Sequence, residues 1–309
     1  MKLFAIIVTY NAMQWVDRCL TSLRESSLPI TPIIIDNGST DETINYIRTH
    51  YPEAQLTANA ENHGFGHANN QGIEIAYKQG ATHFFLLNQD AWVHEDTMAL
   101  LTDIIDRYQY AIVSPIHLNG KGDKLDFGCH MLIAQSKLSM QFFSDLILGK
   151  DFVKDCYDIE TMSAAAWLIS RKTIEEIGGF DPVFFQYGED ENYIRRVRFH
   201  HGRIAIVPNA FIHHDRKQHG NMKMFNKQQI LNDMRTTFMD INLSEVAVTK
   251  YRLKVVGVHF ILFFKSLCSL RLNLAWRILS SYVLFTLQIP EMVRHNRENR
   301  KIGYHWLNL

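Results

Sequence analysis

The chain has no excess charge of either sign: 32 basic side chains stand against 32 acidic ones over 309 residues. That balance removes any overall electrostatic case for nucleic acid as the main partner, so an anion must be bound locally. The four cysteines, Cys19, Cys129, Cys156 and Cys268, lie far apart and make no CxxC pair. They read as structural thiols in a reduced compartment, not as a disulfide framework or a metal site. Also lacking is a secretory apolar run, because the one that opens the chain breaks at Thr9-Tyr10-Asn11. Residues 3–8 are therefore expected to form a first strand, and a cytoplasmic setting follows as an expectation. Apolar residues make up 47% of the chain, ample for one large or two modest cores.

What is present alternates between strand and helix. The β-branched run over residues 3–8 suits a strand buried on both faces of a parallel sheet, and Trp15, Cys19, Leu20 and Leu23 then recur at helical spacing. Residues 32–36 repeat the move and end in the turn Asp36-Asn37-Gly38. Ser39 and Glu42 have capping-box spacing, which predicts a helix from about Thr40 to His50. A strand over 55–59, a helix over 65–78 closed by Gly80, and a strand over 83–87 follow. Successive βα units imply an α/β open sheet, mostly parallel, with helices on both faces. Residues 115–160 are interrupted by glycine and read as loops with a hairpin around Leu132. Residues 164–169 read as a strand, 189–201 as a helix ended by Gly202, and 204–207 as a strand. Beyond Met222 only helices are expected.

Ligands of such sheets bind past the carboxyl ends of the strands. Thr9-Tyr10-Asn11, Asp36-Asn37 and Asn88-Gln89-Asp90 each stand where an apolar run stops, so they should share one rim. A carboxylate such as Asp90 at the end of a buried strand needs a cation or solvent to offset its desolvation. Mg²⁺ or Mn²⁺ would meet it while sharing substrate phosphates; a helix N-cap would also account for it. Gly188-Glu189-Asp190-Glu191 places acids at a helix start, where the dipole favours them and where adjacent like charges can also raise one toward general-base duty. His213 and His214 could complete a metal shell. Small side chains at Ala164-Ala165-Ala166 could admit a sugar or simply pack a core strand.

Taken together and in order, IIVTYNAMQWVDRCLTSL, IIIDNGSTDETINYI, NHGFGHANNQGI, FFLLNQDAWV, SAAAWLISRKTIEEIGGFDPVFFQYGEDENYIRRV and IVPNAFIHHD resemble the inverting family 2 glycosyltransferases of the GT-A fold. The branch they look most like is the rhamnosyltransferase type that builds bacterial surface polysaccharides. The resemblance covers about residues 3–215 and divides the chain into a GT-A domain over 1–221 and a helical region over 222–309. It implies a nucleotide-sugar donor, dTDP-, UDP- or GDP-linked, held by Thr9, Tyr10, Asn11, Asp36, Asn62, Gly64, Gly66, Asn69, Asn88 and Gln89. It implies a divalent cation, Mg²⁺ or Mn²⁺, at Asp90 with His213, and His214 as competitor. Asp190 would be the general base, with Glu189 beside it, acting on a glycan or lipid-linked glycan acceptor. Asn88 departs from the family's acid at that position and removes one acidic ligand.

Three other readings compete, the first of which shares the sheet type. A dinucleotide oxidoreductase is disfavoured, because Asn69 stands where GxGxxG needs its third glycine. A non-catalytic sugar-binding scaffold remains the alternative, since Asn88 weakens the metal motif. A nucleotidyltransferase would release pyrophosphate instead of a nucleoside diphosphate. In the tail, residues 251–272 and 274–289 are apolar but broken by Lys254, Lys265 and Arg277, short of the roughly 18 uncharged apolar residues of a bilayer span. Basic and aromatic residues there suit a membrane-surface helix, or equally a face packed on the core or on a second copy.

Overall fold

A computed structural model describes residues 1–149, 154–216 and 227–309. Its elements run β1 (Leu3–Thr9), α1 (Val16–Arg24), β2 (Thr31–Asp36), α2 (Thr43–His50), β3 (Gln55–Ala58), α3 (Phe65–Lys78), β4 (His83–Asn88), β5 (Ala91–Val93), α4 (Thr97–Tyr108) and β6 (Ile112–Asn119). Then come α5 (Phe127–Gln135), α6 (Met140–Ile147), β7 (Tyr157–Asp158), β8 (Ala166–Ser170), α7 (Arg171–Ile177), α8 (Glu189–Phe199), β9 (Ile204–His214), α9 (Lys227–Phe238), α10 (Glu245–Cys268) and α11 (Leu272–Asn299). The strands form one sheet in the order β3-β2-β1-β4-β8-β6-β9-β5, with β7 paired to β9. Strands β3, β2, β1 and β4 are parallel, β8 runs against β4 and β6, and β5 runs against β9. This is the mixed, mostly parallel sheet with flanking helices of the GT-A fold, followed by C-terminal helices.

Continuous apolar strands are buried on both faces because alternate residues feed two different layers. Phe4, Ile6, Ile33, Phe84 and Leu86 pack on one side with Ile73 of α3 and Tyr193 of α8. Ala5, Ile7, Ile34, Phe85 and Leu87 pack on the other with Leu20 of α1 and Leu101 of α4. The same registers fix the rim. Thr9 lies opposite Asp36, and Val8 opposite Asn88, so the three strand ends finish level with one another.

Four expectations need correction. Helix α2 begins at Thr43, not Thr40, and the expected Ser39–Glu42 cap does not form: the Thr43 amide is met by Asp41 Oδ1 at 3.0 Å. Ser39 has other work: its Oγ donates to Asp36 Oδ2 at 2.6 Å and accepts from the Asn11 amide at 2.8 Å. No hairpin forms around Leu132, which lies in α5; Asp126 accepts from the Cys129 amide at 2.9 Å and caps that helix. Helix α8 stops at Phe199, two residues short of His201. Strand β9 continues to His214, because a register shift at Pro115–Ile116 absorbs residues 208–210 and lets pairing with β6 resume at Phe211. The expected boundary at 221/222 lies outside the described residues.

The C-terminal helices are tied to the sheet domain. Asp181, fully buried, sits 2.6 Å from His295 Nδ1 and accepts from Asn299 Nδ2 at 2.8 Å. The Asn70 amide donates to the carbonyls of Phe180 and Trp306.

Candidate active site

At the rim, several predicted donor residues build the turns themselves. Both Asp36 oxygens are taken up: Thr9 Oγ1 donates at 2.7 Å, the Ser39 amide at 2.8 Å, the Gly38 amide at 3.1 Å and Ser39 Oγ as above. Asn11 adopts a positive φ of 50° and its Oδ1 accepts from the Thr40 amide at 2.8 Å, pinning the 39–41 turn against β1. The Gln89 carboxamide clamps the Tyr10 backbone, accepting its amide at 2.7 Å and donating to its carbonyl at 3.3 Å. The Tyr10 ring itself is exposed.

The next turn supplies the other side of the rim. Asn62 Oδ1 accepts from the Gly64 amide at 2.8 Å, and Gly64 takes φ 85° to start α3. A side chain at Gly64 would meet the Phe185 carbonyl oxygen at 2.1 Å, and the Phe65 amide donates to that same oxygen at 3.2 Å. The chain before α8 is thus docked directly on the start of α3. Gly66 packs under Phe180 and the Glu189 side chain, while Asn69 is buried and bonds back to the Phe65 carbonyl.

Asp90 faces His214. Its Oδ1 lies 3.4 Å from His214 Nε2, and Asn88 Nδ2 lies 3.5 Å from the same nitrogen. Burial pushes the Asp90 carboxyl up, but the His214 bond and charge, with Arg216, outweigh it and hold the group below its ordinary value. His213 points away on the opposite face of β9, stacked between Trp92 and His94 with its Nε2 3.1 Å from that of His94. Alternation along a strand makes this unavoidable: only one of two neighbouring histidines can face Asp90. Asn88 Oδ1 and His214 Nδ1 are buried with no hydrogen-bond partner among the described residues.

Sequence reasoning missed several groups nearby. His117 of β6 and Asp126, both buried, put ligand atoms within 4.8 Å of each other and of His214, a set that could hold a metal ion. Burial drives the His117 imidazole well below its ordinary value, helped by the charges of His214 and Arg216, so it stays neutral and able to ligate. Arg216 lies 4.0 Å from Asp126 and donates to Ser163 Oγ at 3.1 Å. Asn192, one turn after Glu189, is buried with neither amide atom bonded among the described residues. No spacing in the chain marks these residues, although Arg216 directly follows the histidine pair and Asp215.

The acids of α8 occupy an apolar setting. Glu189 is 5% exposed, its Oε2 has no partner among the described residues, and burial with the neighbouring Asp190 charge pushes it up to about 8. Asp190 is half-buried. Burial raises it, opposed by bonds from the Glu191 and Ala164 amides and by the Arg216 charge. Its Oδ1 accepts from the Glu191 amide at 2.8 Å. The segment before β8 therefore runs by both halves of the site: Ala165 accepts the Asn88 amide at 2.9 Å, and the Ala164 amide is close enough to the Asp190 carboxyl to favour its charged form. The small side chains there are buried, with Ala164 in the core on one side of the sheet and Ala166 in the core on the other.

The Glycosyl transferase family 2 profile matches residues 4–178, more than half the chain. No curated protein matches. Among solved structures, S. aureus TarS 1-349 in complex with UDP-GlcNAc is similar at 16% identity and a TM-score of 0.56, over 84% of this chain and 73% of that one. GalNAc-T7 with UDP, GalNAc and Mn²⁺ is similar at 17% identity and a TM-score of 0.60, over 76% of this chain and 48% of that one. This chain thus corresponds to about half of GalNAc-T7.

Proposed function

The chain belongs to glycosyl transferase family 2, and from that premise we propose that it moves a sugar from a nucleoside-diphosphate donor to an acceptor hydroxyl with inversion. The observation that carries this reading is the segment Ala164–Ala165, whose Ala165 carbonyl takes the Asn88 amide at the end of β4 while the Ala164 amide favours the charged form of Asp190 at the start of α8. A donor-side carboxylate and a separate half-buried carboxylate are what an inverting displacement requires. UDP and a UDP-sugar are bound in the similar structures, which supports a nucleotide donor at this rim.

Asp90 and His214 suit a hard divalent cation such as Mg²⁺ or Mn²⁺: one carboxylate and one imidazole face each other beside buried atoms that have no partner among the described residues. When bound, the cation neutralises the charge that develops on the leaving diphosphate. The chain's own residues do the rest. The turns held by Asp36, Asn11 and Asn62 shape the nucleotide edge with Thr9, Tyr10, Gly64, Gly66 and Asn69, and Gln89 fixes the approach of Tyr10. Asp190 takes the proton of the acceptor hydroxyl as that oxygen attacks the anomeric carbon from the face opposite the diphosphate. Glu189, pushed up to about 8 by burial and the neighbouring Asp190 charge, favours its protonated form near neutrality, which lessens the like-charge repulsion on Asp190.

The branch resemblance supports rhamnose from a dTDP donor as the sugar. It also supports a growing surface polysaccharide, assembled on a lipid carrier at the inner face of the cell membrane, as acceptor. Residues 1–221 would carry the transfer and 222–309 a helical appendage. A thermal-shift screen of dTDP-, UDP- and GDP-sugars with and without Mn²⁺ or Mg²⁺ tests the reading, since a ligand bound only by the native state raises its stability. A metal-dependent shift with one nucleotide supports it; no shift with any donor turns the reading to a scaffold.

A further inference from the structure

Helices α10 and α11 form a hairpin that is apolar on two sides. Inward, Leu262, Phe263, Leu274 and Ile278 pack against Ile230, Leu231 and Met234 of α9. That contact satisfies the usual single apolar stripe of a surface helix, so the outer side should be polar. It is not. Phe260, Ile261 and Phe264 are exposed on α10, and Trp276, Leu279, Val283 and Leu287 form an exposed stripe down α11, with Trp276 68% accessible. At the turn, Leu270 is 83% accessible and Leu272 is exposed beside it.

The charge pattern identifies what covers this side. Between Glu245 and Glu291 the sequence contains no acidic residue, while Lys250, Arg252, Lys254, Lys265, Arg271 and Arg277 all fall there. A chain with no net charge has concentrated one sign on this hairpin. Lys265, Arg271 and Arg277 are exposed among the outward apolar residues. Two like-charged copies would repel across such a face, whereas an anionic lipid surface attracts the cations and accepts the apolar side chains. No helix among the described residues is long and apolar enough to cross a membrane. We infer that the α10–α11 hairpin lies in the surface of an anionic bilayer, with Trp276, Leu279 and Leu270 in the acyl boundary and Lys265, Arg271 and Arg277 on the headgroups.

This placement holds whatever sugar the rim takes, and its test does not use transfer. The full chain is floated with phosphatidylcholine vesicles and with vesicles in which phosphatidylglycerol is mixed, and tryptophan emission is read in parallel. The expected result is binding to the anionic vesicles with a blue shift, and little to the zwitterionic ones. The triple variant Lys265→Glu, Arg271→Glu, Arg277→Glu should bind about a hundredfold more weakly or less. Trp276→Ser with Leu279→Ser should lose the blue shift while circular dichroism and melting stay as in the parent chain. Equal binding to both vesicle types, or none, overturns the inference. So does a dimer in light scattering that the serine pair converts to monomer, since a second copy would then cover the face.

Discussion

His214 Nε2 stands 3.4 Å from Asp90 Oδ1, across the antiparallel pairing that sets Ala91 opposite His214. The two residues are 124 positions apart by their numbering, and only β9's extension beyond its register shift brings them together. Asn88 Nδ2 lies 3.5 Å from the same imidazole nitrogen, and in the proposed donor site the one carboxylate and the imidazole act jointly.

Asp90→Asn should therefore weaken cation-dependent nucleotide binding by at least the roughly 10- to 100-fold that even an outer-shell group is worth. Titration calorimetry of the nucleotide with and without Mn²⁺ measures it. His214→Gln should follow Asp90→Asn, while His213→Ala, on the other face of β9, should leave the metal effect in place. If Asp126→Asn has the larger effect, the cation sits instead with His117 and Asp126.

Asp190→Asn should lower turnover by about a hundred- to ten-thousand-fold, the usual range for losing a positioned base, with donor binding nearly unchanged. The amide keeps an oxygen for the Glu191 amide, so the start of α8 should survive. Single-turnover transfer beside nucleotide calorimetry separates the two effects. Substantial retained turnover would take Asp190 out of the role and point to Glu191, which burial also raises above its ordinary value.

Much of the architecture was legible because buried parallel strands announce themselves as unbroken apolar runs, and β1, β2 and β4 are of that kind. Their shared rim followed from chain direction alone. The Ser39–Glu42 cap was misread because Asp36, in a different element, competes for the Ser39 hydroxyl, and local spacing cannot register that competition. Strand β6 and helix α5 were hidden by Pro115, Gly120, Gly122 and Gly128, which break periodicity without breaking the fold. The His117–Asp126–His214 grouping was invisible for a related reason: each ligand comes from a different element, and the β6–β9 register together with the bond from the Asp126 amide to the His117 carbonyl unites them. The choice between His213 and His214 needed the phase of β9, which one residue of slip inverts.

Glu189 carries a pH signature. Its folded value, about 8, lies above the ordinary 4.5, so the folded state holds the extra proton between those limits. Stability contributed by this group is thus full below about 4.5 and is lost as pH rises through 8. Glu189→Gln, which needs no proton to stay neutral, should remove that slope: its melting temperature relative to the parent chain should rise steadily from pH 5 to pH 8, by a few degrees at the upper end. A constant difference across the range would show that the Glu189 carboxyl is not held protonated.

Gly64 joins the turn before α3 to the chain that carries Phe185 and Tyr187, and it does so through backbone alone. Its φ of 85° is costly for any other residue, and a Cβ would lie 2.1 Å from the Phe185 carbonyl oxygen, an atom that cannot swing aside as a side chain could. Gly64→Ala should then cost about 2 kcal/mol or more, the sum of left-handed strain and a forced separation of the two segments. Denaturant melts measure the loss. Because Glu189 packs on Gly66 one turn further along, the same separation would shift the start of α8, so turnover should fall along with stability. Gly80→Ala supplies the contrast: it has a similar φ of 80°, but its Cβ would meet only the flexible Lys2 side chain at 3.5 Å. Equal destabilisation by the two substitutions would mean that strain alone is at work and that the contact with Phe185 does not hold the two segments together.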